Sequence, residues 1–333
     1  MTSAEPDPRP SPPFRPTLVC PRDKGPLTSE VSGLQCARCG LVFPLVNGVP
    51  ILINDANSVF AIADYIGKAG YEGASYGRDW APGSGTTARK TFKQRFQRLF
   101  RRLADSPSSL RYISDAEAIA TVRQSCPNPR ILVVGSADRR HGDASDRVAR
   151  IDVALGPGVD IVADAHDLPF PEQSFDLVIA IAVLEHVADP PRCVEEFCRV
   201  LRPDGFVYAI TPFLQPVHMG AYDFTRYTPL GHRRLFRRFD TIAAGPALGV
   251  GTVAAWTLSS FLQSIPAGRR GRQVLGAAGL LCQPILRKLD RWLSAPPHID
   301  AAGGNYFFGR QRAEPIPDRI LIHDYRGGFP PPG

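Results

Sequence analysis

The chain lacks three features that would place it outside the cell or across a membrane. No basic segment followed by an apolar run opens the sequence, so a secretory signal is not expected. Its seven cysteines are odd in number and lack the spacing of a disulfide framework, which favours a reducing, cytoplasmic compartment. The longest uncharged stretch, 241–267, is diluted by glycines and prolines, so a membrane-spanning helix is not predicted there.

The bulk composition is that of a globular enzyme. The 333 residues are 44% hydrophobic, which is enough for a sizeable core and for about two structural units. The net charge of +7 could attract nucleic acid, anionic lipid or a phosphorylated substrate, or it could simply solvate the surface. Much of this charge lies in four basic clusters, at 89–102, 139–140, 233–238 and 269–272.

Composition and turn signals divide the chain into five parts. Residues 1–16 are rich in proline and predict a disordered tail, and 17–53 predict a small, turn-rich β module. Residues 54–128 predict a helical linker region, in which Lys90 to Leu103 has the pattern of an amphipathic helix with a basic face. The main domain is predicted at 129–312, with a helical insertion at 246–294 and a C-terminal tail at 313–333.

Strand and helix patterns alternate along the main domain. Seven strands are predicted, at 131–134, 150–153, 160–162, 175–181, 206–210, 239–244 and 305–309. The fourth is almost continuously apolar, as a central parallel strand is. The pattern predicts an α/β, Rossmann-like, doubly wound sheet that is mostly parallel.

Three positions near the first strands of such a sheet are candidates for binding a nucleotide. Gly135 follows the first strand and would let the backbone approach a ligand, and Asp152 ends the second strand, where a carboxylate can bind both hydroxyls of a ribose. Asp164 follows the third strand and could accept a hydrogen bond from an adenine amino group. Ala165 leaves room there for the ring.

Two further segments carry polar side chains. Glu185 and His186 follow the fourth strand, and we favour an organising role for them over acid–base catalysis. The loop after the fifth strand contains His218, a candidate general base, and Arg226, a candidate clamp for a carboxylate or phosphate. The other candidate substrate residues of this loop are Tyr222, Asp223 and Tyr227. The alternative is a hydrogen-bonded loop that closes over a cofactor.

The run ADAHDLPFPEQSFDLVIAIAVLEHVADPPRCVEEFCRVLRPDGFVYAITPF resembles the core of class I methyltransferases. The resemblance covers about 131–213 and rests on D-x-x-x-L-P-F, L-E-H-V-x-D-P and R-V-L-x-P-x-G. It implies S-adenosylmethionine as cofactor, with Gly135 lining it, Asp152 on its ribose, and Asp164 with Ala165 on its adenine. Ala180 and Ala182 would flank its methionyl chain.

The sequence departs from that family in the glycine loop. The family's acidic residue two positions before the first glycine is Val133 here, and its second loop glycine is Ala137. The departure implies weaker cofactor binding, a compensating group such as Asp138, or an inactive relative.

The N-terminal module contains a candidate metal site. Cys20-x2-Asp23 and Cys36-x2-Cys39 have the spacing of two zinc knuckles, with one cysteine replaced by aspartate. A Cys3Asp zinc site and a metal-free knuckle are both open. The segment CPRDKGPL…LQCARCGLVFPLVNGVPILI resembles the small zinc-ribbon family that activates methyltransferases as a separate subunit, which would here be fused to its catalytic partner.

These observations predict S-adenosylmethionine-dependent methyl transfer to a small-molecule, sugar or lipid-linked acceptor. The apolar segment 246–294 with Arg269, Arg270 and Arg272 would suit peripheral membrane contact. The alternatives are an inactive scaffold protein that keeps the fold and an RNA methyltransferase. A nucleic-acid partner is not expected, because the signatures of several RNA methyltransferase families are replaced by Ala-Ile-Ala at 180–182.

Overall fold

The structure is a computed structural model. It describes residues 14–31, 33–66, 110–136, 147–156, 158–265, 268–293 and 297–328. The predicted helix at Lys90 to Leu103 and the loop residues Ala137, Asp138 and Gly142 lie outside these ranges.

The N-terminal module is built from short antiparallel strands. β1 (Leu27–Glu30), β2 (Gly33–Cys36) and β3 (Val42–Phe43) form a three-stranded sheet. β4 (Leu45–Val46) and β5 (Val49–Leu52) form a hairpin. Asn47 and Gly48 both have positive φ, 52° and 80°, as a two-residue Asn-Gly hairpin turn requires.

The described residues of the main domain form a nine-stranded sheet of order β11-β12-β10-β9-β6-β7-β8-β5-β4. Its strands are β6 (Arg130–Val134), β7 (Arg147–Asp152), β8 (Ile161–Ala163), β9 (Phe175–Ile181), β10 (Leu201–Pro212), β11 (Phe239–Leu248) and β12 (Gly304–Gln311), joined by β4 and β5. Strands β5 to β10 pair in parallel, whereas β12 pairs antiparallel with β10 and β11. The predicted α/β fold is therefore confirmed.

Two features of the fold differ from the predicted organisation. β5 lies within the predicted N-terminal module, yet it pairs with β8 and extends the main sheet. The predicted tail after residue 312 contains a helix, Asp318–His323, which buries Leu321 and forms an exposed ion pair of 3.0 Å between Asp318 and Arg234. Both contacts join residues far apart in the chain, which local patterns do not reveal.

The helices begin and end at recognisable signals. α1 (Asp115–Ser125) starts with a capping box in which Ser114 and Glu117 bond each other's backbone amides at 3.2 and 2.8 Å. α2 (Pro190–Val200) is capped by Asp189 and has proline in its first turn. The remaining helices are α3 (Pro229–Leu235), α4 (Val250–Gln263), α5 (Arg269–Leu280), α6 (Gln283–Leu289), α7 (Pro297–Asp300) and α8 (Asp318–His323).

The two faces of the sheet carry separate apolar cores. One face packs against α2, with Phe170, Phe175 and Phe197 fully buried. The other packs against α1, whose Ile119 and Val122 meet Val133 and Ile179. Within the described parts of the chain, none of the helices is both long and apolar enough to cross a bilayer.

Candidate active site

A cleft opens at the carboxyl ends of the central strands. The chain reverses its direction of travel across the sheet between β6 and β9, and ligands of open α/β sheets bind at such a switch point. The empty space of the cleft, including its open mouth, is about 770 Å³. Its lining residues come from the ends of β6 to β9 and from two loops: Val59, Phe60, Val134, Gly135, Asp152, Val153, Ala163, Asp164, Ala165, His166, Ala182, Val183, His186, Val187, Ala188, Met219 and Tyr222.

The backbone takes unusual conformations where it borders the cleft. Gly135 has φ +68°, and a Cβ built there would lie 2.4 Å from Cγ2 of Val183. Ala182, across the cleft at the end of β9, also has a positive φ of 55°. Non-glycine residues adopt this region rarely, and such residues cluster at functional sites. The two turns bring backbone close to whatever occupies the cleft.

Asp152 is a buried carboxylate at the edge of the cleft. It ends β7, is 3% exposed, and lines the cleft. Its Oδ1 accepts a hydrogen bond of 2.9 Å from the amide of Ala154, which fixes the orientation of the carboxylate.

Asp164 lines the cleft as well, but its carboxylate bonds to other groups of the protein. Oδ1 accepts bonds from the amide of His166 at 3.0 Å and lies 2.5 Å from the Nδ1 of that ring, while Oδ2 accepts from Ser58. Although burial opposes it, the contact with Asp164 raises the pKa of His166. The Nε2 of His166 lies 3.0 Å from the amide of Asp189, the cap of α2. Asp164 therefore connects β8 to the start of α2.

One wall of the cleft comes from a segment that the sequence did not mark. Val59 and Phe60 line it, and the ring of Phe60 stacks on Tyr222 with centroids 5.8 Å apart. Ser58 and Asn54 of the same segment bond to Asp164 and Asp167. The segment reaches the cleft because β5 joins the sheet beside β8. The short apolar run VPILI of β5 was the only local sign of a further strand.

The loop after β10 is held together by hydrogen bonds between its own residues. Arg226 binds the carboxylate of Asp223 with both terminal nitrogens, and its remaining bonds reach the carbonyls of Gln215, Pro216 and Thr225. The side chain of Asp223 is fully buried, and the contact with Arg226 lowers its pKa. These contacts favour the closing-loop alternative over a clamp that meets the substrate.

Of the other predicted site residues, some line the cleft and others lie outside it. Ala180 is fully buried within β9 and is not part of the cleft lining, whereas Ala165 and Ala182 are. Tyr227 is half-buried outside the lining, and burial raises its pKa to about 12. Val133, the position of the family's acid, packs into the core on the α1 face of the sheet.

Glu185, His186 and His218 come together at the edge of the cleft. The Nε2 atoms of His186 and His218 are 3.1 Å apart, and Oε1 of Glu185 is 3.6 Å from Nε2 of His186. Burial raises the pKa of Glu185 to about 8 and lowers that of His186. Of the three, only His186 lines the cleft itself.

The four predicted knuckle residues converge in the N-terminal module. Ligand atoms of Cys20, Asp23, Cys36 and Cys39 all lie within 4.8 Å of one another. The sulfurs of Cys20 and Cys39 are 3.8 Å apart, and two thiolates bound tetrahedrally to one zinc ion would be about 3.8 Å apart. Amides of Arg38 and Cys39 point at the Cys36 sulfur, at 3.4 and 3.5 Å, as metal knuckles require. The residues present fit zinc.

The module is docked on the loop that follows Asp164. The Nζ of Lys24 lies 3.1 Å from Glu196 of α2 and donates to the carbonyl of Leu168 at 3.2 Å. The amide of Val19 donates to the carbonyl of Pro169 at 3.0 Å. The same Glu196 accepts a bond of 2.8 Å from the amide of Leu168, so the module contacts the segment that directly follows the cleft-lining residues 163–166.

Two segments of the chain match known families. Residues 116–209 match the methyltransferase domain family, and residues 15–48 match the Trm112p-like protein family. The first match contains β6 to β9 and most of β10, the strands around the cleft. The second contains all four knuckle residues.

Similarity to curated proteins is confined to parts of the chain. The mitochondrial arginine-hydroxylase NDUFAF5 of Rattus norvegicus is 51% identical over 49 residues, which is 15% of this chain and 14% of that protein. A demethylmenaquinone methyltransferase of Paenarthrobacter aurescens is 33% identical over 93 residues, 25% of this chain and 36% of that enzyme. The chain thus spans about a seventh and about a third of these relatives.

Solved structures also align with the chain. One is a complex that contains the Haloferax volcanii Trm112 methyltransferase activator, with 16% identity, 58% of this chain and 88% of the other covered, and a TM-score of 0.32. Another is 1,6-didemethyltoxoflavin-N1-methyltransferase of Burkholderia thailandensis, with 13% identity, coverage of 59% and 77%, and a TM-score of 0.34. The two family matches show that the chain carries a methyltransferase-family segment at 116–209, preceded in the same polypeptide by a Trm112p-like segment at 15–48.

Proposed function

We propose that the protein transfers a methyl group from S-adenosylmethionine to a small acceptor. The observation that carries the proposal is the cleft at the switch point of a methyltransferase domain, bordered by Gly135, Asp152 and Ala182. A buried carboxylate at the end of the second strand of the domain and a positive-φ glycine at the end of the first suit a nucleoside ligand.

In this proposal, different residues of the cleft contact different parts of the cofactor. In this proposal Asp152 accepts hydrogen bonds from the ribose hydroxyls, and Ala165 with the apolar side chains of Val153 and Phe60 encloses the adenine. Gly135 and Ala182 lie where the methionyl part would pass. Asp164 acts by fixing His166 and the start of α2, since both of its oxygens bond to protein groups.

The bound sulfonium supplies an activated methyl group, so the protein has mainly to orient the acceptor and exclude water. Phe60, Tyr222 and Met219 form the apolar side of the cleft that the acceptor would meet. Arg226 and Asp223 hold the loop that carries Met219 and Tyr222, which makes them positioning residues. His218, which the sequence predicted as a general base, is not part of the cleft lining and has no assigned role in this proposal.

The acceptor in this proposal is a small molecule, with a lipid-linked one preferred. Quinone methyltransferases are among the partial relatives. The seven cysteines are all free thiols, and a cytoplasmic location, where thiols stay reduced, is part of the proposal.

Titration of the full chain with S-adenosylmethionine tests the proposal. We expect saturable binding of S-adenosylmethionine and of S-adenosylhomocysteine, because both join adenosine to the amino-acid chain that would lie at Gly135 and Ala182, a chain that adenosine triphosphate lacks. Isothermal titration calorimetry measures it, with adenosine triphosphate as a ligand that should bind far more weakly. Lack of binding at millimolar S-adenosylmethionine would instead support a scaffold that keeps only the fold.

An exposed apolar surface on the helical insertion supports an acceptor at a membrane. Phe261, Val274, Ile285 and Trp292 are 66, 69, 66 and 78% exposed. The exposed charges among them are basic, at Arg270, Arg272, Lys288 and Arg291. The one acidic residue of 246–294, Asp290, is buried and accepts a bond of 2.6 Å from the amide of Gly251. Exposed apolar and basic side chains without exposed acids suit an anionic lipid surface.

Vesicle flotation checks this surface. The full chain should float with phosphatidylserine-containing vesicles and less with pure phosphatidylcholine, since each basic side chain near an anionic surface contributes about 1 kcal/mol. The double variant Phe261→Ser, Trp292→Ser should lose the binding. Ile322→Ser, on α8 and 49% exposed, should retain it. Equal flotation of all three proteins would exclude this surface as the contact.

A further inference from the structure

Two imidazole rings meet at the edge of the cleft in an arrangement that requires a proton or a cation between them. The Nε2 atoms of His186 and His218 are 3.1 Å apart, and the rings are inclined at 74°. Two nitrogens at this distance are stabilised only by a proton or a cation between them, because two lone pairs repel.

The other nitrogen of each ring faces an acceptor. The Nδ1 of His186 lies 2.7 Å from the carbonyl oxygen of Tyr222, which can only accept, so this Nδ1 carries the proton. The Nδ1 of His218 lies 3.4 Å from the carboxylate of Asp223. The first contact places a proton on Nδ1 of His186 and leaves a lone pair on its Nε2, the atom that lies 3.1 Å from Nε2 of His218.

A carboxylate completes the group. Oε1 of Glu185 is 3.6 Å from Nε2 of His186, and the ligand atoms of all three residues lie within 4.8 Å. Glu185 is 1% exposed, and neither of its carboxylate oxygens has a hydrogen-bond partner among the described residues. Buried carboxylate oxygens are rarely left without partners, and a bound ion accounts for such a group.

We infer that Glu185, His186 and His218 bind a divalent transition-metal ion beside the cofactor cleft. Two imidazole nitrogens about 2.1 Å from one ion are about 3.0 to 3.4 Å apart at octahedral to tetrahedral angles, and the observed separation of 3.1 Å lies in that range. Two imidazoles and one carboxylate suit zinc or iron(II) and leave coordination positions open.

The surroundings of the three ligands are those of a metal centre. Metal-bound histidines usually donate their second nitrogen to a carbonyl or a carboxylate. The carbonyl of Tyr222 fills this role for His186, and the carboxylate of Asp223 lies 3.4 Å from Nδ1 of His218. Arg226 fixes Asp223 with two nitrogens, and Asp223 also accepts a bond of 2.9 Å from the backbone amide of His218. The loop after β10 therefore holds a ligand and its supporting carboxylate in place.

The site gives His218 a role different from that of a general base. A lone pair bound to an ion cannot accept a proton. The open positions would take an oxygen ligand, such as a hydroxyl or carboxylate, at the side of the cleft where His186 lies. That the oxygen belongs to a methyl acceptor rests on the proposed function, whereas the metal site itself does not.

Cobalt(II) distinguishes this site from the cysteine cluster of the N-terminal module. The full chain, stripped with a chelator, is titrated with cobalt(II) chloride and followed by absorption. Thiolate ligands give an intense charge-transfer band in the near ultraviolet, and imidazole and carboxylate ligands give only weak visible bands. We expect a class of cobalt with weak visible bands alone, in addition to any thiolate-bound cobalt.

Single variants show which residues bind the cobalt that has weak visible bands alone. His218→Ala, which changes a side chain that is 33% exposed, should abolish it and leave the thiolate band unchanged. Glu185→Gln keeps the shape of the side chain and should weaken cobalt binding at this site at least about 10-fold. His323→Ala, with an 83% exposed ring on α8, is the matched control and should bind as the unaltered chain does.

The proposal is overturned if cobalt binds at the thiolates alone, which would leave a shared proton as the cause of the short nitrogen–nitrogen distance. It is also overturned if His218→Ala retains the weak-band cobalt. Neither result depends on whether S-adenosylmethionine binds, so the outcome is separate from that of the proposed function.

Discussion

Replacing Asp152 by asparagine should weaken the binding of S-adenosylmethionine about 100-fold. Hydrogen bonds to a charged group contribute about 1.5 to 3 kcal/mol each, so losing the charge from a pair of ribose contacts costs roughly 3 kcal/mol. The asparagine oxygen can still accept the 2.9 Å bond from Ala154, so the fold should be preserved. Calorimetric titration of both proteins measures the change.

A surface aspartate provides the control for that result. Asp240 has a 67% exposed side chain and a single ion pair of 3.3 Å with Arg312, so Asp240→Asn removes the same charge away from the cleft. Its affinity for S-adenosylmethionine should stay within about twofold of that of the unaltered chain, since exposed pairs contribute little. If both variants bind equally well, Asp152 has no role in holding the ribose.

Removing metal from the N-terminal module should lower the melting temperature of the protein by on the order of 10 °C. Without an ion, the cluster of Cys20, Asp23, Cys36 and Cys39 leaves thiols and a carboxylate packed within 4.8 Å. Strands β1 to β3 are only two to four residues long, and we expect their stability to depend on this cluster. Differential scanning calorimetry with and without chelator measures the shift, and elemental analysis measures the zinc.

Three variants separate the metal from a general effect of chelator. Cys36→Ser should lose the zinc and melt early even without chelator, whereas Cys126→Ser, at the end of α1, should behave as the unaltered chain. Asp23→Cys completes a four-thiolate set and should retain zinc at higher chelator concentrations. An unaltered melting curve after complete chelation would show that the knuckle keeps its fold without metal.

Loss of the module should reach the cleft through a short chain of contacts. Lys24 binds both Glu196 and the carbonyl of Leu168, and the amide of Leu168 also bonds to Glu196. Leu168 lies four residues after Asp164, whose neighbours line the cleft.

Local sequence was sufficient to predict the features that depend on one strand and on the turn that follows it. The D-x-x-x-L-P-F and L-E-H-V-x-D-P segments predicted a methyltransferase domain, and the family match over 116–209 confirms it. The alternation of apolar strands and helices predicted the parallel sheet, because burial on both faces requires continuous apolar strands. Gly135, Asp152 and Asp164 line the cleft, but their roles toward a cofactor remain predictions.

Only the tertiary structure decided which distant segments meet. Phe60 forms a wall of the cleft because β5 pairs with β8, more than 100 residues along the chain. His218 meets His186 and Glu185 because Arg226 and Asp223 fold the loop after β10 back over the end of β9. Spacing along the chain records neither contact, because the first is set by the pairing of β5 with β8 and the second joins two rings that are 32 residues apart in sequence. The sequence by itself therefore determined the family and the position of the cleft, and the packing of remote segments determined what lies around it.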